Sequence, residues 1–282
     1  MFKKSNIMEL MNHEDWLKLL NEGKYDEAIE CCDEAIRLNL CCYDAWNRKG
    51  CALHDNSRYN KTLSCSDEVI KYIDEAINCF DEAIKIDSEN DMAWFNKGLA
   101  LRDKGQFAES LEPFNKVTEL NPNDLTALFY KGIALRHNGL YDEAIICFDA
   151  IHKLYPTDAD IWKQKAYIYE NKGLYDEVII CYDEILKIEP KNFDVWYHKG
   201  ELLYKNDLYD EAIICFDEIL KYESEQFLFV SCIWRYKGNI LRHKGLYNEA
   251  LVCYDEAIKA GSADSKIWRS KGDVLKDKGL YD

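Results

Sequence analysis

The sequence predicts an all-α protein, an α-solenoid of stacked helix–turn–helix hairpins, and two observations carry that prediction. Three residue types keep one spacing of 34 residues. Trp162 and Trp196 are one step apart, as are Trp234 and Trp268. Tyr141, Tyr175 and Tyr209 follow the same rule, as do Tyr247 and Tyr281, and Gly98 and Gly132, and Gly238 and Gly272. A fixed period of this size is the signature of a repeat array. Within each period, apolar residues recur twice at helical spacing, with a turn residue between the two stretches.

The stretch from Leu125 to Asp158 shows how one period is built. Leu125 to Asn138 is helical in pattern, and so is Tyr141 to Leu154, with Ala144, Ile145, Phe148 and Ile151 on one face. Asn138-Gly139 separates them, because glycine tolerates the left-handed conformation that ends a helix. Asp142 and Glu143 then fall in the first turn of the next helix, where negative charge suits the dipole. Pro156 closes the period, since it cannot continue a helix. A single hairpin cannot cover its own apolar faces, so burial comes from stacking on its neighbours.

Seven such units follow an N-terminal tail at 1–8: 9–42, 43–90, 91–124, 125–158, 159–192, 193–226 and 231–264. A lone first helix at 265–282 comes last. The second unit is 14 residues longer than the period. Tyr59 to Cys65 resembles Tyr247 to Cys253, and Asp-Glu pairs at Asp67-Glu68, Asp74-Glu75 and Asp81-Glu82 recur every seven residues. With no glycine or proline between Gly50 and Gly98, this predicts one helix over about 60–86, a duplicated helix adding roughly 21 Å. Phe227 to Val230 is a four-residue apolar insertion, read as a lengthened helix packing inward. Pro113 is expected to kink the second helix of the third unit or break one of its hydrogen bonds.

Composition excludes several function classes. The 282 residues carry a net charge of -16, which disfavours nucleic acid and anionic membrane surfaces as ligands. No apolar run long enough for a membrane span or signal peptide is present, so a cytoplasmic protein is expected. The 12 cysteines do not read as disulfides. Cys147, Cys181 and Cys215 hold the same slot in successive units, too far apart to bridge, and read as small apolar side chains in a reducing compartment. Cys31-Cys32 and Cys41-Cys42 lack zinc-ligand spacing. No phosphate loop or nucleophile elbow occurs. His13, His54, His137, His152, His198 and His243 are scattered singly, and the Asp-Glu pairs recur with the repeat, whereas a catalytic site is normally unique. No catalytic residue, cofactor or metal is expected.

The phrase Trp-x-x-Lys-Gly-x-x-Leu, followed by Gly-x-Tyr, Ala, Phe or Tyr and a closing Pro, resembles the tetratricopeptide repeat family over nearly the whole chain. The resemblance implies a right-handed solenoid. It departs at Lys97, Lys131, Lys165, Lys199, Lys237 and Lys271, where the family usually has an apolar residue. Their stems are expected to pack and their amines to reach water. Trp16 stands where the first unit should carry glycine, a degeneracy common in end repeats.

In that family the first helices line a groove that grips a peptide. The residues this implies here are Phe95, Arg102, Phe129, Arg136, Lys163, Tyr167, Tyr197, Tyr204, Arg235, Asn239, Arg242 and Arg269. Arg235 and Asn239 resemble a Lys-and-Asn pair with which chaperone-binding members hold a terminal carboxylate. Asn96, which resembles the next clamp residue, lies far from them, and Ser270 stands where the clamp should continue, so chaperone binding is not expected. First helices of units three to seven are net basic and second helices net acidic. Helix dipoles alone favour part of that split. A scaffold or adaptor binding an acidic and apolar peptide segment of a partner protein is the leading expectation, tempered by Asp160, Asp194 and Glu201. The alternative is a self-assembling module, a homodimer formed through the open last helix, or a repeat fragment of a larger protein.

Overall fold

The structure is a computed structural model that describes residues 13–40, 42–61, 66–222, 230–260 and 265–279. The described residues form fifteen helices and no strand, an all-α helical-repeat fold. They fall into two units, 1–156 and 157–282. The first holds α1 (His13–Asn21), α2 (Tyr25–Arg37), α3 (Cys42–Lys61), α4 (Ser66–Ile86), α5 (Asp91–Asp103), α6 (Phe107–Leu120), α7 (Leu125–His137) and α8 (Tyr141–Leu154). The second holds α9 (Ala159–Lys172), α10 (Tyr175–Ile188), α11 (Phe193–Lys205), α12 (Tyr209–Leu220), α13 (Val230–His243), α14 (Tyr247–Lys259) and α15 (Ser265–Asp277).

Helix boundaries recur with the sequence period. Asn90, Asp124, Asp158 and Asn192 are successive N-caps, and each side chain accepts a hydrogen bond from a first-turn backbone N–H. The hairpin turn needs a residue in the left-handed region. Gly173 supplies it at φ 70, and in the sixth repeat Asp207 takes the same conformation at φ 59.

A glycine facing an aromatic ring locks each hairpin. In the first helices, Gly98, Gly132, Gly200 and Gly238 sit under Phe114, Phe148, Phe216 and Tyr254 of the paired second helices. A Cβ added at any of them would lie 2.6–2.9 Å from the ring. These four rings are fully buried. Two repeats vary the pair. Ala166 replaces glycine in the fifth, and its ring, Tyr182, is 9% exposed and donates its hydroxyl to Glu170 at 2.6 Å. In the first repeat the sizes are inverted. Trp16 fills the glycine slot and buried Cys32 the ring slot, and the two share one cluster. Trp16 therefore conserves the volume of the pair, which explains the degeneracy noted in the sequence.

The extended second repeat corrects the expectation of a single helix over 60–86. The helix is unbroken through Tyr72, but it begins at Ser66, and Asn60 and Lys61 end the preceding helix. Leu53 of α3 packs with Val69, Ile73 and Ala76 of α4, so the two helices run back along each other. α3 has 20 residues and α4 has 21, against 13 and 14 for α5 and α6. The insertion is thus shared, about two turns on each helix. Residues 62–65, which join them, lie outside the described residues, as do 227–229 of the apolar insertion. α6 runs through Pro113 as one continuous helix, with the proline buried.

Five lysines of the recurrent slot end on carboxylates. Lys49 reaches Asp33 at 2.5 Å and Lys97 reaches Asp81 at 2.7 Å. Lys199 pairs with Asp183, Lys237 with Asp217 and Lys271 with Asp255. Each lysine also lies over a tryptophan one turn before it, with Lys237 Nζ 4.9 Å from the Trp234 ring. Every pair ties a first helix to the second helix of the repeat before it. Lys131 holds the same slot, but the matching position carries Asn115. Asn115→Asp is therefore expected to raise stability by about 0.5 kcal/mol in urea unfolding. The gain should vanish when Lys131 is replaced by methionine. A gain that survives that replacement would show that the new carboxylate acts some other way.

The nine described cysteines are free. Cys147, Cys181, Cys215 and Cys253 are buried in equivalent slots, and burial raises the Cys147, Cys215 and Cys253 thiols above their ordinary pKa. Inert apolar packing is what that environment favours.

Candidate functional site

The expected groove residues all lie on first helices, and the two units gather them differently. In the first unit Tyr130 of α7 is the focus. The Phe95 ring is 5.9 Å from it and the Phe129 ring 5.7 Å. The Arg102 guanidinium lies 4.5 Å above the same ring, a cation–π contact. Phe95 and Phe129 also meet Phe114 and Phe148, the rings that fill the glycine notches. Arg136, in the last turn of α7, lies against the His137 ring nitrogen at 2.8 Å.

In the second unit the focus is Tyr236 of α13. Tyr204 approaches it edge-on at 5.0 Å, Tyr197 at 6.3 Å, and the Arg235 guanidinium lies 4.7 Å over the ring. Tyr236 donates its hydroxyl to Glu201 at 2.8 Å. Burial raises the Tyr236 pKa, and the hydrogen bond to Glu201 raises it further. Burial alone would raise Glu201, but hydrogen bonds from Tyr236 and Lys205 outweigh it and hold the carboxyl below its ordinary value. Asn239 is engaged as an acceptor from the Tyr254 hydroxyl at 2.8 Å. Tyr167 is 46% exposed, and Arg269 is exposed.

Three of the six cations of the expected groove are matched by the chain's own carboxylates. Arg102 binds Asp103 at 2.6 Å, Lys163 binds Asp160 at 3.0 Å, and Arg242 binds Asp277 at 2.8 Å and Asp273 at 3.3 Å. Asn96 donates to Asn47 at 3.1 Å and to the Cys51 sulfur at 3.3 Å. What the two units share is a cluster of rings around one tyrosine, with a guanidinium laid on its face, on first helices of adjoining repeats. The sequence list omitted the central rings, Tyr130 and Tyr236. Their signal was present: both follow the residue after the recurrent tryptophan position by one, in a slot that elsewhere holds Asn96, Gln164, His198 and Ser270. In both units the ring in this slot also stacks on the notch-filling ring of the repeat before it, Tyr130 on Phe114 at 6.0 Å and Tyr236 on Phe216 at 5.5 Å.

One further cluster escaped the sequence reading. His54 of α3, in the slot that Arg102 holds in the next repeat, meets Asp103 at the end of α5, with Nε2 3.1 Å from the carboxylate. Burial alone would raise the Asp103 carboxyl. Hydrogen bonds from His54 and Arg102 more than offset it and hold the group at about 2. Among the described residues no group of His, Cys, Asp or Glu is arranged to hold a metal ion, and no helix is long and apolar enough to cross a membrane.

Paired antiparallel helices, a glycine notch in each first helix and stapling between successive pairs define a helical-hairpin repeat protein. Three family profiles, each described as a tetratricopeptide repeat, match residues 73–124 and 101–159, 181–214, and 19–40 and 159–192. These cover more than half of the chain, and the chain belongs to the tetratricopeptide repeat family. No curated protein matches it. Among solved structures it is similar to a tetratricopeptide repeat protein from Parabacteroides merdae ATCC 43184, at 15% identity and a TM-score of 0.57, with 96% of this chain and 99% of that one covered. It is also similar to YrrB, a TPR protein with an unusual peptide-binding site, at 17% identity and a TM-score of 0.52, covering 71% and 98%. A third similarity is to the structure of Naa15/Naa10 bound to HypK-THB, at 12% identity and a TM-score of 0.57, covering 96% of this chain and 39% of that one. At these identities the likeness is one of fold.

Proposed function

We propose that this protein is a non-catalytic interaction scaffold whose first helices bind a peptide segment of a partner protein. The observation that carries the reading is the aromatic cluster of the second unit, where half-buried Tyr197 and Tyr204 flank the buried Tyr236 beneath Arg235. Rings that are part-exposed and held rigid by their neighbours offer contact area at low entropic cost. The peptide-binding site named for YrrB, a protein of similar fold, fits this class of function. The pairing of Arg102, Lys163 and Arg242 with internal carboxylates shifts the preference toward apolar and aromatic peptide groups, with Arg235 and Arg269 as the cations best placed for an acidic one.

Affinity capture with mass spectrometry tests this on the wild type and on the double variant Tyr197→Ser/Arg235→Ser. Loss of the captured partner by at least tenfold is expected, about 1.4 kcal/mol. The helical content should be unchanged, because neither side chain is fully buried. Equal capture by both proteins would sink the groove reading.

A second reading, self-association through α15, rests on one observation. Gly272 has nothing within 4 Å where the equivalent glycines meet a ring, and Trp268 one turn earlier is 56% exposed. Ile267 and Val274 bury the opposite face of α15 against α14. Light scattering on the same purified proteins separates the readings. A dimer that forms with rising concentration and is abolished by Trp268→Lys supports self-association, and a monomer throughout excludes it.

A further inference from the structure

The outward sides of the second helices change character along the chain. One position on each, two residues before the recurrent ring, faces solvent. In the first three repeats it carries Glu30, Asn78 and Glu112, all exposed. From the fourth repeat onward it carries aliphatic residues, and Ile146 is 69% exposed. In the second unit the position is Ile180 on α10, Ile214 on α12 and Val252 on α14, at 55%, 58% and 59% exposure. A single exposed aliphatic residue is ordinary, but three in the same register on consecutive second helices form a ladder. Nothing in the repeat's own packing requires it. The neighbouring residues Cys181, Cys215 and Cys253 already fill the buried side.

The ladder is framed by negative charge. Glu177, Glu211 and Glu249 lie one turn before each aliphatic residue on the same face, and Glu184, Glu218 and Glu256 one turn after. The later three are held only by surface lysines three residues on, as in Lys187–Glu184 at 2.5 Å and Lys259–Glu256 at 2.6 Å. Such exposed pairs are weak and can be exchanged for a partner's cation. Each helix thus presents an aliphatic knob between two carboxylates, three times over. Packed helices stand on the order of 10 Å apart, and successive second helices are separated by at least that much, so the ladder spans at least roughly 20 Å. A helix of about 14 residues covers that length.

We propose that this face docks a basic amphipathic helix of a partner protein, with Ile180, Ile214 and Val252 as apolar anchors and the flanking glutamates as counter-charges. The occupant follows from charge: apolar knobs within a carboxylate frame repel acidic segments and select lysine- or arginine-rich ones. The site is distinct from the first-helix groove and stands whether or not the groove reading does.

The test uses a fluorescein-labelled peptide of about 18 residues with leucine on one helical face and lysine on the other, its length set by the ladder's span. Fluorescence anisotropy follows its binding to the full chain. Saturable binding is expected, weakened at least tenfold in the triple variant Ile180→Ser/Ile214→Ser/Val252→Ser. The triple alanine variant, which keeps helix propensity, serves if the serine variant loses helical content. Tyr197→Ser/Arg235→Ser should bind the peptide as the wild type does. A scrambled peptide of the same composition should bind far more weakly. Equal binding by wild type and ladder variants, equal binding of the scrambled peptide, or no saturable binding would each overturn the proposal.

Discussion

Replacing Phe216 by alanine is expected to destabilise the protein by about 3–5 kcal/mol, the range for deleting a fully buried aromatic side chain. Phe216 is 0% exposed, and its ring lies over Gly200 so closely that an added Cβ would sit 2.7 Å from Cε1 and 3.0 Å from Cζ. Gly200→Ala is itself expected to cost about 1–3 kcal/mol through overpacking, even though alanine is the better helix former by about 1 kcal/mol. The two changes should not add. With the ring gone, the new methyl meets no clash, fills part of the hole and keeps its propensity gain. The double variant should therefore be no less stable than Phe216→Ala alone. Urea unfolding of the four proteins gives the coupling directly. Additivity within about 0.5 kcal/mol would mean that the two positions do not share one packing site.

The chain contains its own versions of this experiment. Where Ala166 replaces the glycine, the ring is a tyrosine, is less buried, and is anchored outward by its hydroxyl on Glu170. Where Trp16 replaces it, the ring position has shrunk to Cys32. Both solutions conserve the pair and not either residue. The expected penalty for Gly200→Ala follows, because Phe216 has no hydroxyl with which to be held in the displaced position.

Most of this fold could be read before any coordinates. The expected second helix of the fourth repeat, Tyr141 to Leu154, matches α8 residue for residue, because a glycine and a proline mark its limits. The hairpin of α3 and α4 was misread for the complementary reason. No glycine or proline marks its turn, and the Asp-Glu phrases continue through 67–82 in helical register, so the pattern gave no stop signal. The candidate site was legible in residue type and not in state. Arg242 could be placed on a first helix by its spacing. That Asp273 and Asp277 neutralise it depends on how α13 meets α15, which no local pattern encodes. The Lys–Asp ties were hidden similarly: Lys97, Lys199, Lys237 and Lys271 were noticed as departures, while their partners lay 16 or 20 residues earlier among many acidic residues.

Acid should reveal the tie between the extended hairpin and its neighbour. Burial works against ionised Asp103, yet hydrogen bonds from His54 and Arg102 and their charges hold its carboxyl at about 2, against about 3.9 for an aspartate in an unfolded chain. A folded value below the unfolded one means that the contribution is full above about pH 4 and drains away as pH falls toward 2. The side chain is only 20% exposed, so screening removes little, and the contribution is on the order of 2 kcal/mol. Neighbouring groups titrate too. Burial raises Asp55, which gives the opposite slope, and Lys104 on the same turn is committed to Asp74 at 2.5 Å. The difference between wild type and Asp103→Asn isolates the one carboxyl. That difference should be near its full value at neutral pH and shrink between pH 4 and 2, as followed by thermal unfolding. A difference that stays constant across this window would mean that Asp103 acts by its shape and not by its charge.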